Sequence, residues 1–209
     1  MKHEWRKQEK EIYLPKSIEI REIPRYSFLM FEGEGDPNSE MFSQQIEALY
    51  SVSYAIRMML KKGETTDSFV YTVYPLEGIW TTKDGSKDEN LNKDQLVYRI
   101  MIRQPEQVNL EMVSQAIQQT IKKKDNPYLN QLSFETYEDG MSIQMIHVGS
   151  FDTELESFKQ MDRFLEGTAY ERDWIMESYV HREIYLSDAR KVVPEKRKTV
   201  LRYKLKEKK

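Results

Sequence analysis

Glu183 and Tyr185, in the run HREIYLSD, stand two residues apart among apolar and aromatic neighbours. On a strand that spacing turns both side chains to one face. A carboxylate in such a run is poorly placed for a solvated edge. If the face lines an apolar cleft, Glu183 is desolvated and draws cations, or it takes and gives a proton. The second reading pairs Glu183 with Arg182, Arg99 or Arg103 across strands on a solvated face, and periodicity leaves both open. A further run, YPLEGIW, brings Tyr74, Glu77 and Trp80, whose rings would stack on flat or cationic ligands. Trp174, with Tyr170 in GTAYERDWIMES, lies on a connection, where a tryptophan either caps a cleft or pins its loop. Tyr50, Tyr54, Phe158 and Phe164 fall at helical spacing and read as core.

Other chemistry is scarce. The 209 residues contain no cysteine, which removes disulfides, thiolate nucleophiles and cysteine-based metal sites. His147 in MIHVGS and His181 in YVHREIY read as hydrogen-bonded strand residues, and nothing proposes the three or four convergent ligands of a metal site. No GxGxxG, Walker, HExxH or GxSxG motif occurs. With 32 basic and 35 acidic residues the net charge is −3, which argues against a nucleic-acid binder with a wholly basic surface. The run from His181 onward holds 11 basic residues against 4 acids, a +7 tail that reads as solvated. Apolar residues make up 39% and aromatics 11%, enough to bury a core. No apolar run approaches the roughly 18 residues of a membrane span, and the first residues are too charged for a signal peptide. The expectation is a soluble cytoplasmic protein without nucleic-acid or membrane contacts.

The elements that would position these residues can be read along the chain. Residues 1–12 form a charged lead-in, mobile or weakly helical. Ser17 to Gly33 alternates as a strand, with Pro24 at a bend. Asp36–Pro37 reads as a helix start, and Phe42, Ile46, Leu49, Ile56 and Leu60 carry the helix to Gly63. Phe69–Trp80 and Leu96–Arg103 are strands around the polar loop at 81–94. A linking helix at about 109–124 follows.

The second half repeats the order. Leu132–Tyr137 and Met141–His147 read as strands around a turn at Glu138–Asp139–Gly140. Thr153 and Glu156 have capping-box spacing for a helix ending at Gly167. Tyr179–Leu186 and Val200–Leu205 are the last strands. FLMFEGEGD at 28–36 lies over IQMIHVGSFD at 143–152, each leading into a helix. The fold class is therefore α+β: one domain over 13–209, made of two pseudo-symmetric strand–helix–strand–strand units at about 17–104 and 131–206. Its antiparallel sheet carries helices on one face and leaves the other free for a ligand cleft.

Four blocks in order resemble one family: YPLEGIW, YRIMIRQPEQV, EDGMSIQMIHVGSFDTE and HREIYLSDARKVVPEKRKTVLRY. They are similar to the GyrI-like small-molecule-binding proteins, of the stand-alone kind without a DNA-binding domain in front, over about 13–206. The resemblance implies a pocket glutamate at Glu183, with Arg182 directly before it where the family's block commonly has histidine. It also implies an aromatic cage from Tyr74, Trp80 and Trp174, with His147 and Tyr98 as further ligand contacts. One subset of such proteins hydrolyses the cyclopropane of DNA-alkylating natural products without metal or cofactor. Glu183 and Tyr185 would then take the catalytic roles, and the ligand would be a hydrophobic aromatic small molecule. The same pocket could instead bind or sense hydrophobic or cationic drugs unchanged, or the domain could contact a protein partner, as the gyrase-inhibiting namesake does. Sheet edges could support a homodimer.

Overall fold

A computed structural model of the chain describes residues 2–63, 68–86 and 90–209. Two helical turns, α1 (Trp5–Gln8) and α2 (Lys10–Tyr13), precede strand β1 (Glu19–Glu34), helix α3 (Glu40–Lys62), and strands β2 (Leu76–Thr82) and β3 (Leu96–Gln104). Helix α4 (Leu110–Ile121) links to β4 (Ser133–Val148), α5 (Glu154–Glu166), β5 (Tyr170–Asp173), β6 (His181–Tyr185) and β7 (Lys198–Glu207). The sheet runs β4-β1-β3-β2-β6-β7-β5, and β4 also bonds β7, so six strands close into a barrel with β5 appended. All pairings between these strands are antiparallel.

The repeat governs this closure. In the first unit the neighbours are β1-β3-β2, in the second β4-β7-β6, and the units meet at β1–β4 and β2–β6. The fold class agrees with the sequence reading, but the place of the cleft does not. Closing the ring turns one sheet face inward, where Phe28, Met30, Ile79 and Met101 pack together. Helices α3 and α5 both lie outside, α3 on β1 and β3 and α5 on β4. A cleft opens on that same helix-bearing face, between the two helices, with β2 and β6 as its floor.

Several local expectations are corrected. Residues 2–13 are held against the barrel rather than loose: Trp5 is 4% and Tyr13 1% exposed. The carbonyls of Glu11 and Ile12 accept from Gln144 and Arg202. Helix α3 starts at Glu40, not at Asp36–Pro37. Asp36 instead closes a turn by accepting from the backbone N–H of Asn38, and Ser39 caps the helix by accepting from the N–H of Phe42. Gly63 ends it in the left-handed region, at φ 69°. Of the run 69–80 only the part from Leu76 on joins the sheet, in a strand that ends at Thr82, while Tyr71 makes a lone bridge to His3. The polar connection at 81–94 includes 87–89, which lie outside the described residues.

Glu138–Asp139–Gly140 is no reversal. Strand β4 runs through it, and its register with β1 is the same on both sides, Arg25 opposite Glu138 and Ile23 opposite Gly140. Gly140 takes φ 65°, a kink that a side-chain-bearing residue would resist. Thr153 makes no side-chain cap, because its hydroxyl donates to the Ser150 carbonyl instead. Strand β5, expected as a connection, adds to β7. The basic tail is strand as far as Glu207, and Lys208 Nζ donates to the carbonyls of Leu165 and Thr168 at the end of α5. No helix among the described residues is long and apolar enough to cross a membrane.

Candidate ligand cleft

The floor of the cleft is built by pleat. Along β6, Arg182 and Ile184 point one way and His181, Glu183 and Tyr185 the other. Arg182 enters the barrel, fully buried, where Glu77 Oε2 lies 2.9 Å and Asp139 Oδ1 3.0 Å from its guanidinium nitrogens. Arg202 meets the other oxygen of Asp139 at 3.3 Å. Arg103 is bound to Glu9 and Tyr13, and Arg99 to Glu32 and Glu135. The three arginines that could have neutralised Glu183 on a solvated face are thus all engaged elsewhere, and that alternative pairing falls.

Glu183 instead belongs to a chain of polar groups in the cleft. The Tyr185 hydroxyl donates to its Oε2 at 2.8 Å, and His181 Nε2 lies 2.8 Å from its Oε1. Trp80 Nε1 donates to the Tyr185 oxygen at 3.2 Å. This approach requires Gly78, directly opposite Glu183 on β2. A Cβ there would stand 2.7 Å from Trp80 Nε1 and 3.1 Å from the Tyr185 oxygen. Burial and then the Glu183 charge push the Tyr185 phenol well above its ordinary value, so it acts as a donor and not as a base.

A second carboxyl completes the floor. Glu154, the first residue of α5, is 5% exposed, with Oε1 buried and without a hydrogen-bond partner. Burial first, and the Glu183 charge second, raise it well above the ordinary carboxyl value, against a hydrogen bond from Thr199. Among the described residues no lysine or arginine is ion-paired with Glu154 or Glu183. A carboxyl pushed toward its protonated form beside a second carboxyl is the arrangement of an acid–base pair. Among the described residues no group of three or more histidines and acids is placed to hold a metal ion.

Aromatic rings wall the cleft. Phe158 meets His181 at 4.8 Å between ring centroids, and Phe151 meets Tyr185 at 5.8 Å, both from the α5 side. On the α3 side Phe42 meets Trp80 at 6.0 Å, and Tyr50 stacks on Tyr54. Of the rings read as core, Tyr50 and Phe158 pack on the core from one side and line the cleft from the other, while Tyr54 lines it 52% exposed. Phe164 is also exposed rather than core. The cleft is about 2480 Å³, beyond the ~300–1,000 Å³ of an ordinary small-molecule site, so it admits an extended ligand.

Of the residues singled out from sequence, the structure gathers Trp80, Glu183 and Tyr185 on the floor. Tyr74 lines the far end, with its hydroxyl donating to Glu9 Oε1 at 2.7 Å. Tyr98 lies one layer beneath, fully buried, its ring 5.2 Å from Trp80 and its hydroxyl donating to Gln45. His147 is not on the cleft. It ties β4 to α5, with Nδ1 2.9 Å from Ser157 Oγ and Nε2 3.0 Å from the Ser150 carbonyl. Trp174 is outside the cleft as well, 55% exposed beside the turn that packs Ile175 and Tyr179 on the barrel interior. Sequence reasoning missed Glu154, although the block EDGMSIQMIHVGSFDTE ends on it, and passed over His181 as a strand residue.

A family profile described as a GyrI-like small molecule binding domain matches residues 16–205. A crystal structure of a hydrolase from Listeria innocua is 33% identical, with a TM-score of 0.85 over 98% of this chain and all of that one. An uncharacterized conserved protein from the same organism is 35% identical, with a TM-score of 0.88 over 98% of this chain and 100% of its own. The EcmrR C-terminal domain shares the fold at 12% identity, with a TM-score of 0.53 over 94% of this chain and 99% of that one. No curated protein matches the chain.

Proposed function

The chain belongs to the GyrI-like small-molecule-binding family, and from that premise we propose that it is a cytoplasmic, cofactor-independent hydrolase that opens the cyclopropane of cyclopropanoid DNA-alkylating toxins. The observation that carries this reading is the Glu154–Glu183 pair, two carboxyls that no lysine or arginine among the described residues pairs with, on the floor of an aromatic cleft. The Listeria relative described as a hydrolase supports an enzyme over a passive binder.

The chemistry needs a proton donor, a water-orienting acceptor and a dry flat slot. A spirocyclopropane conjugated to a dienone becomes electrophilic when its carbonyl oxygen accepts a hydrogen bond. Tyr185 and protonated Glu154 are the donors available. Glu183, accepting from Tyr185 and 2.8 Å from His181 Nε2, holds a water and takes its proton as the water oxygen attacks the ring methylene. The C–C bonding pair moves into the dienone, which leaves as a phenol after protonation from Glu154 or Tyr185. The proton on Glu183 then restores the donor. Substrate plus one water gives product, with no redox change.

The test is incubation with a duocarmycin-type alkylator, followed by mass spectrometry of compound and protein. The expected result is a free product heavier by one water, formed over many turnovers. Glu183→Gln and Glu154→Gln each lower turnover by about 10²- to 10⁴-fold, the usual range for general acid–base groups. Unchanged compound that still raises the melting temperature would replace the hydrolase with a drug-binding protein.

A further inference from the structure

Arg6 is one basic residue of the cleft lining whose surroundings are fixed by the N-terminal segment. Arg6, on α1, lines the cleft beside the end of β6. Its Nη2 donates to the Leu186 carbonyl at 2.6 Å, and its guanidinium lies 4.4 Å from the centre of the Trp5 ring. Trp5 is itself fixed, 4% exposed, with Nε1 donating to the Val73 carbonyl. The guanidinium is therefore held in one orientation by a carbonyl and a ring, which leaves further N–H donors free. Among the described residues it is ion-paired with no carboxylate, and partial burial lowers its pKa with no acid to offset that. Arg190 and Lys191, on the same rim, share the single carboxylate of Asp188, two residues past Leu186. Leu186 continues β6 three residues beyond Glu183, about 10 Å along extended chain.

We propose that Arg6 is an oxyanion subsite, so that the cleft is built for a flat aromatic ligand carrying a sulfonate, carboxylate or phosphate group about 10 Å from the part that meets Glu183. This rests on the reading of the cleft as the ligand site, and not on whether the ligand is turned over. A fixed, under-compensated guanidinium recognises an oxyanion through paired N–H donors, while Tyr50 and Tyr54 cover the adjoining aromatic body. The carboxyl floor disfavours an anion placed at Glu183, so Arg6 and the floor together fix the ligand's direction.

A matched pair of probes tests this: 8-anilinonaphthalene-1-sulfonate and its neutral counterpart N-phenyl-1-naphthylamine, titrated by fluorescence into the full-length protein. Arg6→Gln is expected to weaken the sulfonate by about tenfold, the value of one lost charge-assisted hydrogen bond, and to leave the neutral probe within twofold (roughly) of wild type. Arg6→Lys retains most of the sulfonate preference. Tyr54→Ala, an exposed cleft position whose loss the fold tolerates, weakens both probes. Equal effects of Arg6→Gln on the two probes, or no effect on either, would overturn the subsite while leaving the cleft reading in place. No effect of Tyr54→Ala on either probe would overturn the cleft reading and the subsite with it.

Discussion

Asp139 inside the barrel and Glu154 under the cleft are buried alike, at 4% and 5% exposure, and burial pushes both carboxyls up. They end on opposite sides of the ordinary value. Arg182 and Arg202, each hydrogen-bonded to Asp139, outweigh its desolvation and hold it low. Glu154 has Glu183 as its charged neighbour and stays high. Burial by itself therefore does not assign a protonation state here; the nearest charge does. The interior keeps three arginines, 103, 182 and 202, beside Glu77 and Asp139, and the N-terminal segment delivers Glu9 as the third acid. Glu77 is pushed up by burial against the pull of Arg182 and Arg202, so Asp139 is the main counter-charge. The cleft floor shows the reverse pattern, with Glu154 and Glu183 paired with no lysine or arginine among the described residues and His181 beside Glu183. One strand separates the two regions, since Arg182 and its chain neighbour Glu183 face opposite sides of β6.

Arg182→Met breaks this contrast most severely. It leaves Asp139 and Glu77 buried with one cation fewer, and a cost of about 3–5 kcal/mol in urea unfolding is expected. Glu183→Gln, one residue away, removes a carboxylate that no arginine or lysine among the described residues pairs with and should change stability by less than about 1 kcal/mol. If the two substitutions cost the same, the division into a charge-balanced interior and an unbalanced floor is wrong. Gly78→Ala tests the floor alone. Its Cβ would overlap Trp80 and crowd Tyr185, with an overpacking cost of about 1–3 kcal/mol. The Trp80–Tyr185 hydrogen bond would be displaced, which tryptophan fluorescence would report. An unshifted spectrum with wild-type stability would mean that the floor is looser than its packing suggests.

The sequence pattern exposed the floor better than the walls. Glu183 and Tyr185 were visible because period two on a strand directly specifies a shared face. The cleft-lining side of Tyr50 and Phe158, and the exposure of Tyr54, were not legible because helical spacing marks a face without saying whether sheet or open cleft lies opposite. Barrel closure depends on the pairing of β4 with β7, from Ser142 opposite Lys204 to Val148 opposite Lys198, a contact that no local pattern encodes. The triplet Glu138–Asp139–Gly140 carries hairpin-turn residues, yet Asp139 is turned inward by the counter-charges of β6 and β7. Glu154 was overlooked for a similar reason. An acid at the first position of a helix ordinarily complements the helix dipole in solvent, and nothing nearby in sequence signals that β6 and Thr199 bury it.

The smallest expected effect is also the one that separates the two carboxyls most directly. Glu154 keeps its proton in the folded state to higher pH than in the unfolded chain, so the folded state binds more protons above about pH 4.5. Its contribution to stability is complete below that value and is lost as pH rises through the raised folded value, at no more than about 1.4 kcal/mol per pH unit. Asp139 has the opposite sign: its contribution is present above 3.8 and is lost as pH falls through its lowered value. Glu154→Gln should therefore flatten the alkaline side of a stability–pH profile and leave the acid side as it was. Cationic ligands should also lose their preference for higher pH in this variant, because the charge that Glu154 gains on ionisation is gone. A Glu154→Gln profile parallel to wild type above pH 4.5 would mean that Glu154 is ionised at rest. The proton donor on the floor would then be Tyr185 alone.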